Sequence, residues 1–183
     1  MAKKSSNQSP VKVARKRRAD LLLRRDYCSL VLRLAVITLA VIIIFSQVFI
    51  ITQCEGMGMF PAIEDGDLIL AYRLHEDYQK GDVVVYKMDG KTRLGRIIGK
   101  QNDVIVMDSE SGNLQVNGTT QTGEIMYPTY AKDGIEYPCR VPEGTLFLLG
   151  DYRTQAEDSR DFGPVPLNKI QGKVITIVRR RGV

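Results

Sequence analysis

Hydrophobic positions fall into two regimes along this chain. The first is one unbroken run, "LAVITLAVIIIFSQVFII" from Leu34 to Ile51, with no charge in 18 residues. As a helix it would extend roughly 27 Å, close to the apolar thickness of a bilayer, so the pattern predicts a transmembrane helix over 34–53. From residue 64 onward the apolar residues come in short β-prone runs instead: "DLILAY", "DVVVY", "RIIG", "DVIVMD", "LQVNG", "TLFLLGD" and "KVITIVRR". Each is bounded by Gly, Asp or Asn, as strands are. "SGN" at 111–113 and "NG" at 117–118 are tight-turn signals between them. No helical period longer than two turns follows the long run. The expectation is a mainly β domain of antiparallel hairpins, barrel-like in character, over 54–183. The stretch from Thr122 to Pro142 has weak patterning and reads as a loop.

Charge changes this picture by its placement. The net charge is +5, yet residues 1–33 hold ten Lys/Arg and two acids, while the rest holds 16 Lys/Arg and 19 acids. The basicity therefore belongs to a tail, and the body is mildly acidic. Lys12, Arg15, Lys16, Arg17, Arg18, Arg24, Arg25 and Arg33 precede the apolar run, which the positive-inside rule reads as a cytoplasmic tail over 1–33 and an outward-facing domain. Anionic membrane lipid is the expected partner of that tail, and nucleic acid is not. A cleaved signal peptide is the competing reading of the run, but Ile51, Thr52 and Gln53 make a poor cleavage site.

Cysteine and histidine exclude several chemistries. Cys28, Cys54 and Cys139 are an odd set, not a disulfide framework, although a bridge between Cys54 and Cys139 stays open. The single His75 sits in the polar stretch "RLHEDYQKG", which suggests neither a triad nor a metal cluster. No Gly-rich phosphate loop is present, so no cofactor and no metal is expected.

The stretch "EGMGMFPAIEDGD", Glu55 to Asp67, is shaped as a bend leading into a strand. It is followed by "KGDVVVY", "GRIIGKQND" and "GDYRTQAEDSRDFGPV". In that order, after a basic tail and one apolar run, these blocks resemble the bacterial type I signal peptidases over nearly the whole chain. The last block keeps Gly150, Asp151, Arg153, Asp158, Ser159, Arg160, Phe162, Gly163 and Val165 in register with the family.

The resemblance implies a fold of two joined antiparallel β modules with a groove that holds an extended chain, and a Ser/Lys pair that cuts it. Laid on this sequence, Met59 and Pro61 put the nucleophile position at Gly58, and Arg96 and Gly99 put the base position at Gly95. A supporting serine falls at Ala156. The expectation is therefore no catalytic residue at all. Ala62, Tyr152 and Asn102 also depart from the family pattern, and Lys91 and Lys100, near the base position, are expected to be exposed cations. Gly56, Met57, Gly58, Met59, Phe60 and Gly95 are candidates for a peptide groove or partner surface, with simple packing an equal reading of Met57, Met59 and Phe60. Gly95 is expected to open room in the cleft. Arg96, Asp151, Asp158 and Arg160 are expected to form a structural network. Non-catalytic relatives of this appearance are known from pilus gene clusters of Gram-positive bacteria. What the resemblance implies is a membrane-tethered accessory or chaperone for pilin polymerisation, with pilin subunits or a sortase as partner. Two alternatives stay open: a signal peptidase with an unorthodox site, and a regulator that binds extended signal peptides.

Overall fold

The computed structural model describes residues 10–74, 77–121 and 127–179, with side chains from residue 23 onward. His75 lies outside the described residues. The chain forms two units, 1–46 and 47–183. The first carries most of helix α1, Pro10–Val48. Its Leu23–Val48 portion contains an 18-residue window with a mean hydropathy of 2.7 and is long and apolar enough to cross a membrane.

The helix is shorter at its C-terminal end than the apolar run predicts. It stops at Val48, and Phe49–Gln53 forms strand β1. Hydrophobicity cannot separate the two states, but "FIITQ" is rich in aromatic and β-branched residues that fit a pleated surface. Its backbone also finds a partner, with Phe49 opposite Tyr72 and Gln53 opposite Leu68.

The other elements follow in order: β2 Leu68–Tyr72, β3 Val83–Met88, β4 Lys91–Gly99, β5 Val104–Met107, β6 Leu114–Val116, β7 Thr119–Thr120, β8 Cys139–Arg140 and β9 Thr145–Leu149. Then come the short helix α2 Ser159–Phe162, β10 Val165–Pro166, a 3-10 turn at Leu167–Lys169, and β11 Ile170–Val178. All the pairings are antiparallel. One sheet has the order β1-β2-β11-β3-β4-β9-β10, the other β7-β6-β5-β8. Asn117 and Gly118, with φ of 53° and 78°, make the two-residue turn between β6 and β7, a left-handed pair that Asn-Gly adopts readily. One short correction concerns the stretch expected to be loop: Cys139–Arg140 pairs with β5 through Ile105 and Val104, because a sheet edge was available to it.

Alternation along the strands builds the core. Ile69 and Ala71 of β2, Val85 of β3 and Met59 pack in one cluster; Val84, Tyr86, Ile97 and Leu148 pack in another on the opposite face. A third cluster, with Ile105, Val116, Phe147 and Leu149, joins the two sheets. Each fully buried Val, Ile or Leu contributes roughly 1.5–3 kcal/mol by leaving water. β4 pairs with β3 through Lys91–Arg96 and with β9 only through Arg96–Gly99, which leaves Lys91–Gly95 without a strand on the β9 side.

Candidate functional site

That open half of β4 faces a groove of about 270 Å³. One wall is Thr52 to Met59, the end of β1 and the bend after it; the other is Lys91 to Leu94; Gln155, Ala156 and Glu157 complete the lining. β1 is an edge strand, paired with β2 alone. The groove is therefore bounded by the edges of two strands that, among the described residues, have no strand partner on that side. Successive antiparallel pairings give β1 and β4 the same direction.

Backbone contacts hold the bend in place. Tyr152 N–H donates to Gly58 O at 3.0 Å, Cys54 N–H to Asp67 O at 2.8 Å, and Gly56 N–H to Asp65 Oδ1 at 2.7 Å. Gly150 permits the approach: a Cβ there would meet Ala156 Cβ and lie 2.5 Å from Gly58 O. The structure thus brings Gly56, Met57, Gly58, Met59 and Ala156 to one groove. A Cβ on Gly58 would have ordinary contact with Ala156, at 3.8 Å.

Gly95 behaves differently from expectation. It is buried, lies outside the lining, and a Cβ on it would sit 3.1 Å from the Tyr86 ring and 3.2 Å from Leu148. No room is opened there, because core side chains have closed over the glycine. The three apolar candidates also separate. Met59 is buried in the core, Met57 is 43% exposed at the groove, and the Phe60 ring lies tilted against Tyr152 with centroids 5.9 Å apart, Tyr152 itself lying 4.7 Å from Tyr127.

Behind the groove lies a network of charge. Arg96 grips Asp151 at two points, Nε to Oδ1 at 2.8 Å and Nη2 to Oδ2 at 2.5 Å, and its Nη1 donates to Gly81 O at 2.8 Å. Asp158 and Arg160, both about 1% exposed, pair at 2.8 Å. Asp158 also caps α2 and accepts from Gly150 N–H at 3.1 Å. Arg153, equally buried, donates to Gly150 O and Thr129 Oγ1, and burial lowers its pKa to about 10. Gly150 N–H to Asp158 ties the end of β9 to the cap of α2.

Sequence reasoning did not place Cys54, Arg93 or Glu157 in the groove, nor their neighbours Thr52, Gln53, Glu55, Thr92, Leu94 and Gln155. The signal for Arg93 was its place two residues before Gly95 on a strand, which puts both on one face. Cys54 is 5% exposed. Burial, then the negative charges of Asp65, Asp67 and Glu55, push its thiol up to about 11. A thiolate fraction on the order of 10⁻⁴ at pH 7 follows, so Cys54 is a poor nucleophile. Iodoacetamide labelling of Cys54, read by peptide mass spectrometry, is expected to accelerate about tenfold per pH unit from 7 to 10. A flat profile above pH 8 contradicts this. Cys54 and Cys139 are both free thiols in separate clusters.

Among the described residues, Thr52, Thr92, Cys54 and Lys91 of the groove share no hydrogen bond with one another. Lys132 Nζ, the ammonium nearest Ala156 by bonding, is committed to Ala156 O at 2.7 Å and to both oxygens of Asp161. Lys100 is elsewhere, 3.7 Å from Asp77. No group of three His, Cys, Asp or Glu among the described residues is placed to hold a metal.

Residues 27–179 match the family model described as signal peptidase, peptidase S26. The chain belongs to that signal peptidase family. It is 33% identical over 136 residues to the signal peptidase I of Bacillus caldolyticus, covering 66% of this chain and 74% of that protein. It is 32% identical over 127 residues to the mitochondrial ATP-independent inner membrane protease subunit 1b of Arabidopsis thaliana, covering 66% of this chain and 64% of that one. A crystal structure of a signal peptidase I from Enterococcus faecalis superposes with a TM-score of 0.47 at 23% identity, over 55% of this chain and 98% of that chain.

Proposed function

We propose that this chain is a non-cleaving signal-peptidase-like protein that holds an extended segment of another exported protein. The observation that carries the reading is the groove between two open strand edges, with Gly58 and Ala156 in its lining and, among the described residues, no nucleophile of the groove hydrogen-bonded to a base. A chain laid between β1 and β4 adds main-chain hydrogen bonds on both sides, which needs no reactive side chain. Gly58 and Gly95 stand where the resemblance puts nucleophile and base, so the scaffold persists without the reaction.

α1 tethers the protein to the cell membrane, with the basic residues 1–33 in the cytoplasm against anionic lipid and the 54–183 domain outside. Ile51, Leu68 and Val178 are exposed on one face of the β1-β2-β11 sheet, an apolar surface suited to lipid as a further partner. On the resemblance to the pilus-cluster relatives, the segment held belongs to a pilin subunit, presented to a sortase for polymerisation.

Deletion of the gene from its own bacterium, with the sortase still present, tests this. Immunoblots of the cell wall are expected to lose the ladder of pilin polymers and keep the monomer. An unchanged ladder sinks the assembly role, and crosslinking of the groove to preproteins alone favours a regulator that binds signal peptides.

A further inference from the structure

The two faces of β4 give the groove two characters. Leu94 packs toward the cluster that contains Cys54 and Met59, whereas Arg93 turns to the opposite face, its guanidinium carbon 6.0 Å from the Phe162 ring centroid. The Arg93 side chain is only 15% exposed, and its hydrogen bond runs from Nη1 to Glu157 Oε2 at 2.8 Å. Its Nε–H is buried without an acceptor, and so is the hydroxyl of Tyr86, the residue opposite it on β3.

Buried donors in folded proteins almost always find acceptors, so the orphaned Nε–H of an arginine that lines the groove, with a second orphan on the core residue paired with it, calls for a ligand group. A guanidinium offers its N–H groups as a fork that fits a carboxylate at two points. Glu157 meets that fork at one point only, from a side chain 56% exposed. Such a pair is weak and exchangeable. Lys91, on the same face of the strand as Arg93 and also in the lining, adds a second positive charge.

We infer that Arg93 is the receptor for a carboxylate carried by the chain in the groove, and that Glu157 holds the place which that carboxylate takes. The inference rests on the peptide-holding reading and adds a substrate class to it. The preferred segment is extended, with an acidic residue between small or apolar neighbours. Side chains of such a segment alternate in direction. The acid then turns to Arg93 and Lys91 while its neighbours turn to Leu94 and Cys54. A wholly neutral segment leaves the Arg93 fork with its single contact and gains nothing from it.

The test uses the full-length chain in nanodiscs of zwitterionic lipid and three fluorescein-labelled octapeptides of alternating alanine and valine, whose central residue is glutamate, glutamine or lysine. Anisotropy is expected to show the glutamate peptide binding about tenfold more tightly than the glutamine peptide, as one charge-assisted hydrogen bond allows. The preference shrinks as salt is raised. Arg93→Gln is expected to abolish it. Glu157→Gln, a change at an exposed side chain that leaves the core intact, is expected to strengthen glutamate-peptide binding several-fold by removing the competitor. Equal binding of the glutamate and glutamine peptides, in the unaltered chain and in Glu157→Gln alike, overturns the inference and leaves the groove reading standing. Absence of binding by all three peptides overturns both.

Discussion

Incubated in phospholipid vesicles with a preprotein that carries a signal peptide, the full-length chain is expected to leave the preprotein uncut, and Gly58→Ser is expected to be just as inert. Position 58 accepts a hydroxyl easily, since a Cβ there has 3.8 Å to Ala156. A hydroxyl alone is a weak nucleophile until a base takes its proton. The position that the resemblance assigns to the base is Gly95, whose side-chain direction runs into Tyr86 and Leu148. Lys132 cannot serve, because its ammonium is held between Asp161 and Ala156 O and is not directed at position 58. In a well-studied serine protease the loss of nucleophile or base lowers kcat on the order of a million-fold, and losing both costs little more. Electrophoresis over hours is therefore expected to show no product. Restoring the reaction needs Gly58→Ser, Gly95→Lys and Ala156→Ser together, with the Tyr86 ring and Leu148 yielding a few tenths of an ångström to the new stem. Specific cleavage by the unaltered chain, in vesicles free of any host peptidase, would falsify the holding function.

The second large effect concerns stability. Asp158→Ala is expected to lower the unfolding free energy of the β domain by about 3–5 kcal/mol, the usual consequence of removing one partner from a buried ion pair. Asp158 accepts from Arg160 Nε at 2.9 Å, Arg160 Nη2 at 2.8 Å, Arg160 N at 3.1 Å and Gly150 N at 3.1 Å. Alanine abandons all four donors at once. It leaves the Arg160 guanidinium, about 1% exposed, without its counter-charge, and it uncaps α2. For a domain of ordinary stability this is a large share of the total, and the thermal midpoint is expected to fall on the order of 10 °C. The paired change Asp158→Leu with Arg160→Met is expected to recover part of the loss, since a buried ion pair is often no better than apolar residues of similar volume. A midpoint for Asp158→Ala within about 2 °C of the unaltered chain contradicts the account.

The strands were the most legible part of the sequence. "DLILAY", "DVVVY", "DVIVMD" and "TLFLLGD" became β2, β3, β5 and β9 because a dense β-branched run between turn residues has few other compact solutions. "NG" at 117–118 was equally direct, since the left-handed pair it favours depends on those two residues alone. The end of the helix was less legible: Phe49 to Ile51 is as apolar as what precedes it, and only pairing with β2 makes it a strand. Cys139–Arg140 failed for the same reason, a two-residue strand that exists through its neighbour β5.

Of the candidate site, the bend Gly56 to Met59 could be located from sequence, but not its surroundings. Whether Met59 points inward and Met57 outward depends on a core built by β2 and β3. The space beside Gly95 depends on Tyr86 and Leu148, nine residues before it and 53 after. Arg93 and Glu157 are separated by 64 residues, and nothing local links them.

By itself, then, the sequence determined that a basic tail, one membrane-length apolar run and an antiparallel β domain of the signal peptidase family follow one another, because charge, hydropathy and β-propensity act over a few residues at a time. Only the tertiary structure decided which strand edges stay open, that core side chains close over Gly95, and that an under-used arginine faces the groove. These are outcomes of pairing and packing between segments far apart in the chain, and no local pattern encodes where two distant surfaces meet.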